Sequence, residues 1–172
     1  LRTAVKVETV KRNVGKKVKD NTPKIIINAP ARKIGGTNTN KNTRQEFTII
    51  NGDIVVSDSL IQDVIIQHTD FPYVLIDSTL KNPDKYNVQV QGDLVCVMSK
   101  TLTKYLGNYA SITKLHAGSA RFLLEQLTQM VSSEMYNLFY EDAIVQMIFQ
   151  KNFELYFKVI KDYAWTEVDC VD

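Results

Sequence analysis

Phe47-Thr-Ile-Ile-Asn-Gly-Asp-Ile-Val-Val56 is the stretch on which the fold turns. Phe47 to Ile50 are apolar or β-branched and suit a buried strand. Asn51-Gly52-Asp53 stops that strand, because these three residue types favour turns over continued sheet. Asp58 then offers a helix N-cap, and Leu60, Ile61, Val64 and Ile65 follow at helical spacing. The segment therefore reads as strand, acidic turn, helix.

The same alternation extends in both directions. Upstream, Lys24-Ile-Ile-Ile-Asn28 is a short apolar run between Pro23 and Pro30 and predicts a strand, followed by a polar loop over 31–44 that contains Gly35-Gly36. Downstream, Tyr73-Val-Leu-Ile76 predicts a third strand. Tyr86 to Val90 and Leu94 to Met98 flank Gln91-Gly92-Asp93, which predicts a hairpin with glycine at its turn. Tyr105 to Leu115 extends as another strand. Ser119 to Val131 predicts a helix with Ala120, Phe122, Leu123, Leu124, Leu127 and Met130 on its apolar face, and Tyr140 to Gln150 predicts a second. Phe153 to Ile160 alternates as a strand, and Trp165 to Val171 closes the pattern. Strands alternating with helices predict an α/β fold, a Rossmann-like mixed and mostly parallel sheet flanked by helices, with one antiparallel hairpin inserted. Ligands of such sheets bind beyond the carboxyl ends of the strands. That rule singles out Asp53, just after a strand, and Asp169 in the closing segment, two residues after Glu167.

Bulk properties narrow the class. The chain has 172 residues, of which 44% are hydrophobic and 23% charged, which suits one domain with a sizeable core. No apolar run approaches the roughly 20 residues that span a bilayer, and the basic start has no apolar centre that would mark a signal peptide. Two cysteines, Cys96 and Cys170, are too few for a disulfide framework and are not spaced as zinc ligands, which fits a reducing, cytoplasmic setting. His68 and His116 stand apart, with no metal-ligand spacing. The serines lack the strand–turn–helix context of a hydrolase nucleophile. The absence of an initial methionine and the acidic stop at Asp172 read as the ends of a fragment.

Charge is polarised along the chain. Residues 1–50 carry 12 Lys/Arg against 3 Asp/Glu, whereas 51–172 carry 9 against 16. A basic stretch invites a nucleic-acid reading, but a solvated face or weakly ordered arm is the commoner origin of such a charge run, and Phe47 is its only aromatic residue on which a base could stack. Those cations would also attract a phosphate-bearing substrate. Residues 1–22 are thus set apart as a basic segment and 23–172 as the domain.

Several segments of that domain, taken in order, resemble the sugar-phosphate and phosphocholine nucleotidyltransferases. The resemblance is nearest to the branch that makes CDP-choline or CDP-phosphonate headgroups. Phe47 to Val56 resembles the family's "hydrophobic strand, Gly-Asp, hydrophobic" motif. Tyr73-Val-Leu-Ile-Asp77 with Lys85-Tyr-Asn-Val-Gln-Val-Gln-Gly-Asp-Leu-Val95 resembles its strand and hairpin. Ser99-Lys100, Tyr140-Glu141-Asp142-Ala143 and Trp165-Thr-Glu-Val-Asp169 resemble its "S-K", "Y-E-D-A" and "W-x-E-I-D". Asn28-Ala-Pro30 and Thr37-Asn38 resemble remains of its "N-P, T-N-N" stretch. The family's opening "A-A-G-x-G-x-R" loop and the lysine that follows it have no counterpart, so the main triphosphate cradle is expected to be missing.

The resemblance implies transfer of a nucleotide, CMP or another NMP, from an NTP to a small phosphorylated or phosphonylated acceptor, with release of pyrophosphate. It implies Mg2+ held by Asp53 and Asp169, with Glu167 as a third carboxylate or outer partner. Lys100 would be the catalytic cation, pairing with the acceptor's phosphate. Tyr140, Glu141 and Asp142 would meet a cationic acceptor headgroup by charge and cation–π contact. Each residue also has a plain structural role open to it. Gly-Asp after a strand is commonly a turn, carboxylates at a helix start favour its dipole, and most lysines are solvated. A catalytically inert binding module derived from the same fold, and a nucleic-acid binder using the basic arm, remain the other classes. A sheet edge left bare by missing strands would favour a homo-oligomer.

Overall fold

The computed structural model describes residues 46–67 and 71–168, together with the backbone of two short strands at 7–8 and 25–28. The strands in chain order are β1 (Val7–Glu8), β2 (Ile25–Asn28), β3 (Glu46–Ile50), β4 (Ile54–Val56) and β5 (Tyr73–Asp77). They continue as β6 (Asn87–Gln91), β7 (Leu94–Ser99), β8 (Gly107–His116), β9 (Tyr156–Val159) and β10 (Trp165–Glu167). A helical turn, α1 (Asp58–Leu60), runs into a wider π-helical turn over Ile61–Ile65, and two longer helices follow, α2 (Ala117–Ser132) and α3 (Tyr140–Lys151).

Eight strands form one sheet in the order β1-β2-β3-β8-β5-β9-β7-β6, and β6 also pairs back onto β8. The strands β8, β5, β9, β7 and β6 thereby close into a small barrel. The expectation of a mostly parallel sheet is corrected here, because β5 with β9 is the only parallel pair among the described strands. β3 and β5 do run in one direction, but β8 lies between them and runs against both. A parallel neighbour needs a crossover of a dozen or more residues. Such a connection, α2 and α3, joins β8 to β9, whereas short loops link β5 through β8.

Closure depends on Gly107. It pairs with Val88 of β6, and a Cβ built on it would lie 2.3 Å from the Asp77 carbonyl oxygen and 2.7 Å from Ser78 Cα. Only a residue without a side chain lets three strands meet there. The hairpin turn places Gly92 at φ +57°, the left-handed region that glycine adopts without cost.

Two apolar clusters lie on the two faces of this sheet. One packs Val74, Ile76, Val88 and Leu115 against Leu123 and Met130 of α2 and Ala143, Ile144 and Met147 of α3. The other packs Tyr73, Leu75, Ile112 and Ile160 under Leu60 of α1 and Val64 of the π-helical turn. β5 is buried at all five positions because both its faces are covered. Ser57 rather than Asp58 caps α1, its side-chain oxygen accepting from Leu60 N at 3.3 Å. Lys114 closes the far end of that turn, donating to the carbonyls of Ile65 and Gln67 at 2.9 and 2.7 Å while paired with Glu46.

The predicted face of α2 is also corrected. Leu123 and Met130 are buried, but Phe122 and Leu124 are exposed, and Gln126 takes a core position where its amide donates to Gln146 of α3 at 2.6 Å. Among the described residues no helix is long and apolar enough to cross a membrane.

Candidate active site

A cleft of about 410 Å³ opens beyond the carboxyl ends of β3 and β5. Three elements build it, and each is tied down by its own backbone.

The first is the turn after β3. Asn51 N donates to the Ser111 carbonyl of β8 at 3.2 Å, and Val168 N donates to the Asp53 carbonyl at 2.7 Å. The small antiparallel ladder of β4 with β10 sets Glu167 opposite Ile54. Asp53 and Glu167 thus reach the same cleft from distant parts of the chain. Asp169, the other expected ligand, lies outside the described residues; its neighbour but one, Glu167, lines the cleft. Trp165 locks β10 in place. Its indole N–H donates to Asp77 Oδ2 at 2.7 Å, while Thr79 and Leu80 supply Oδ1 with further donors. Burial opposes ionisation of Asp77, but these hydrogen bonds outweigh it and hold the carboxyl below the ordinary carboxylate range.

The second element is the loop between β5 and β6. A buried amide clip fixes it: Asn108 accepts from Asn82 N at 2.8 Å and donates to Asn82 O at 3.1 Å and to Asn87 Oδ1 at 2.7 Å. Asn87 in turn donates to the Leu102 carbonyl at 3.1 Å, which anchors the loop carrying Lys100. Lys85 leaves this clip and forms an ion pair with Glu167. Lys100 lies on the rim, 5.8 Å from the Tyr86 ring centre and 5.6 Å from that of Phe139.

The third element is the start of α3. Tyr140 and Glu141 are buried and line the cleft. The Tyr140 hydroxyl is bonded to that of Tyr109 at 2.6 Å, and Tyr109 to Thr113 at 2.6 Å. Burial, then the neighbouring Tyr109 and Glu141, push the Tyr140 phenol well above its ordinary range, so it stays neutral. Asp142 does not line the cleft. One of its oxygens accepts from Phe139 N at 2.8 Å and caps the helix, and the other accepts from the Tyr86 hydroxyl at 3.0 Å.

Strain gathers here as well. Ser111, inside β8, has φ +58°, and the register between β5 and β8 shifts around it. Such a bulge re-aims side chains, and both Tyr109 and Ser111 line the cleft.

The cleft's charges are unequal. Asp53, Asp84, Glu141 and Glu167 face two lysines, Lys85 and Lys100. The Oδ1 atoms of Asp53 and Asn51 are buried with no hydrogen-bond partner among the described residues. Such atoms carry a desolvation penalty of about 1–3 kcal/mol each unless a ligand, water or ion meets them. No group of three or more His, Cys, Asp or Glu that could hold a metal gathers among the described residues. Magnesium does not require one, since it takes one or two carboxylates and fills its shell with water and substrate oxygens. The orphaned Asp53 oxygen and the adjacent Glu167 fit that donor set.

Sequence reasoning singled out Asp53, Glu167, Lys100, Tyr140 and Glu141, and all five line this cleft. It missed Lys85, Asp84, Asn51 and Tyr109. Lys85 stood within a motif already recognised, but no local pattern reveals an ion pair across the fold.

Comparison with protein families finds no match, and comparison with curated proteins finds none. Solved structures that are similar in part include two transferases. The inositol-1-phosphate CTP transferase from T. maritima shares 15% identity at a TM-score of 0.49, covering 72% of this chain and 49% of that one. A protein described as a glucose-1-phosphate thymidylyltransferase from Bacillus anthracis, solved with a sucrose, shares 17% identity at a TM-score of 0.48, covering 71% and 48%. The chain spans about half the length of each.

Proposed function

We propose that the chain is a nucleotidyltransferase-like domain. Its parent activity would move CMP, or another NMP, from an NTP to a small phosphorylated or phosphonylated acceptor. An acceptor oxygen would attack the α-phosphorus, the bond between the α- and β-phosphates would break, and pyrophosphate would leave with the bonding electrons. The observation that carries this reading is the meeting of Asp53 and Glu167 with two lysines in one cleft. The sequence resemblance supplies the reaction.

Two anionic reactants would enter a cleft that already holds more carboxylates than ammonium groups, so a further cation is needed there. Asp53 and Glu167, with Asp169, would hold Mg2+. The ion would supply positive charge against the negative charge that grows on the phosphates. Lys100 would pair with the acceptor's phosphate from the rim. Glu141 would supply negative charge toward a cationic headgroup, and Tyr140 a neutral aromatic wall held by Tyr109. Asp142 would act only by fixing the start of α3.

Calorimetric titration of the chain with CTP, with and without Mg2+, tests this beside Asp53→Ala. Metal-dependent binding that disappears in the variant is the expected result. Binding that ignores both the metal and the substitution would sink the reading. No binding in any condition would favour the inert module instead.

A further inference from the structure

Lys85 and Glu167 form no ordinary surface pair. Their side chains are 16% and 17% exposed, and each is held by its own backbone. Lys85 N donates to Asn82 O at 3.3 Å, and Asn82 is clipped to buried Asn108. Glu167 is set in register against Ile54, beside Asp53. An ammonium group therefore already neutralises the acid next to the orphaned Asp53 oxygen. A divalent cation shared by Asp53 and Glu167 would compete with that ammonium for the same carboxylate, and the two cations would repel each other at close range. The flexible four-carbon stem of lysine lets the ammonium swing away, while its anchored backbone keeps it within the cleft.

We propose that Lys85 is a stand-in cation. Without metal it neutralises Glu167; when a divalent cation enters at Asp53 and Glu167, Lys85 is displaced and its ammonium turns to the phosphates of the bound nucleotide. This rests on the nucleotidyltransferase reading and adds an order of events to it. The exchange keeps Glu167 neutralised before metal arrives, and it delivers a phosphate-binding cation only to a metal-loaded cleft.

The test uses the whole chain and Mn2+ as the probe. Acylation of Lys85 by an amine-reactive reagent is followed by mass spectrometry at fixed pH as Mn2+ is titrated, with exposed Lys81 as internal reference. Lys85 labelling is expected to rise several-fold on saturation while Lys81 stays constant. Independently, Lys85→Met is expected to bind Mn2+ on the order of tenfold more tightly than the wild type. Lys100→Met, which removes an equal charge from the same cleft but forms no ion pair among the described residues, is expected to change affinity less. If Lys85→Met fails to fold, the labelling result on the wild type still decides. Binding of Mn2+ through Asp53 with Lys85 still protected, or equal gains in the two lysine variants, would overturn the stand-in role and leave the transferase reading intact. Binding only in Lys85→Met would support displacement. No Mn2+ binding by any variant would remove both readings together.

Discussion

Replacing Asn108 with alanine would release the two loops that carry Lys85 and Lys100 without touching either lysine. Asn108 is fully buried and makes three hydrogen bonds, two to the Asn82 backbone and one to the Asn87 side chain. A net value of about 1 kcal/mol for each gives a loss of about 3 kcal/mol, with the stranded partners adding to it where they stay dry. For a chain of this size that is a fall in Tm of about 6–12 °C. Urea unfolding followed by the fluorescence of Trp165, the single tryptophan, measures the loss directly. The clip also predicts a second effect: Lys85 should become more accessible to acylation in the variant even without metal. A loss below about 1 kcal/mol with Lys85 still protected would refute the argument that these amides hold the cleft's lysines.

Three further outcomes follow from single positions. Gly107→Ala places a methyl against the Asp77 and Ser78 backbone, which cannot rotate away, so calorimetric unfolding should show a loss of at least about 2 kcal/mol. Ser111→Gly relieves a left-handed conformation in β8 and should stabilise the chain by up to about 1 kcal/mol in the same assay, a destabilised variant counting against strain at that bulge. Asp77 has a folded pKa below its unfolded value, so its contribution is fully present above about pH 4 and is lost as pH falls through the folded value. Acid unfolding of Asp77→Asn should therefore start from lower stability at neutral pH and lack that part of the pH dependence; parallel curves for the two proteins would exclude the assignment.

What could be read from the chain alone was mostly local. The hairpin at Gly92, the apolar run of β5 and the start of α3 are encoded within a few residues, and each stands close to where it was expected. Strand direction was not readable, because alternating strands and helices do not specify which strands become neighbours. That choice rests on closure of β6 onto β8, which a single glycine permits. The buried face of α2 escaped for a related reason: Gln126 is core only because Gln146 of α3 meets it there. In the cleft, the acids after strands could be picked out by type and position. Their pairing could not, since the ladder of β4 with β10 joins segments separated by most of the described chain. Asp142 had a good motif position, yet capping and Tyr86 occupy both its oxygens.

The same ladder governs when the cleft comes into being. Asp53 and Tyr109 leave the ribosome before Trp165 and Glu167. Contacts of such long sequence separation form late, because the chain between must first be ordered. Until β10 has emerged, the growing chain would carry a cleft without the Glu167 carboxylate. Ligand capture would be reserved for a chain translated through β10.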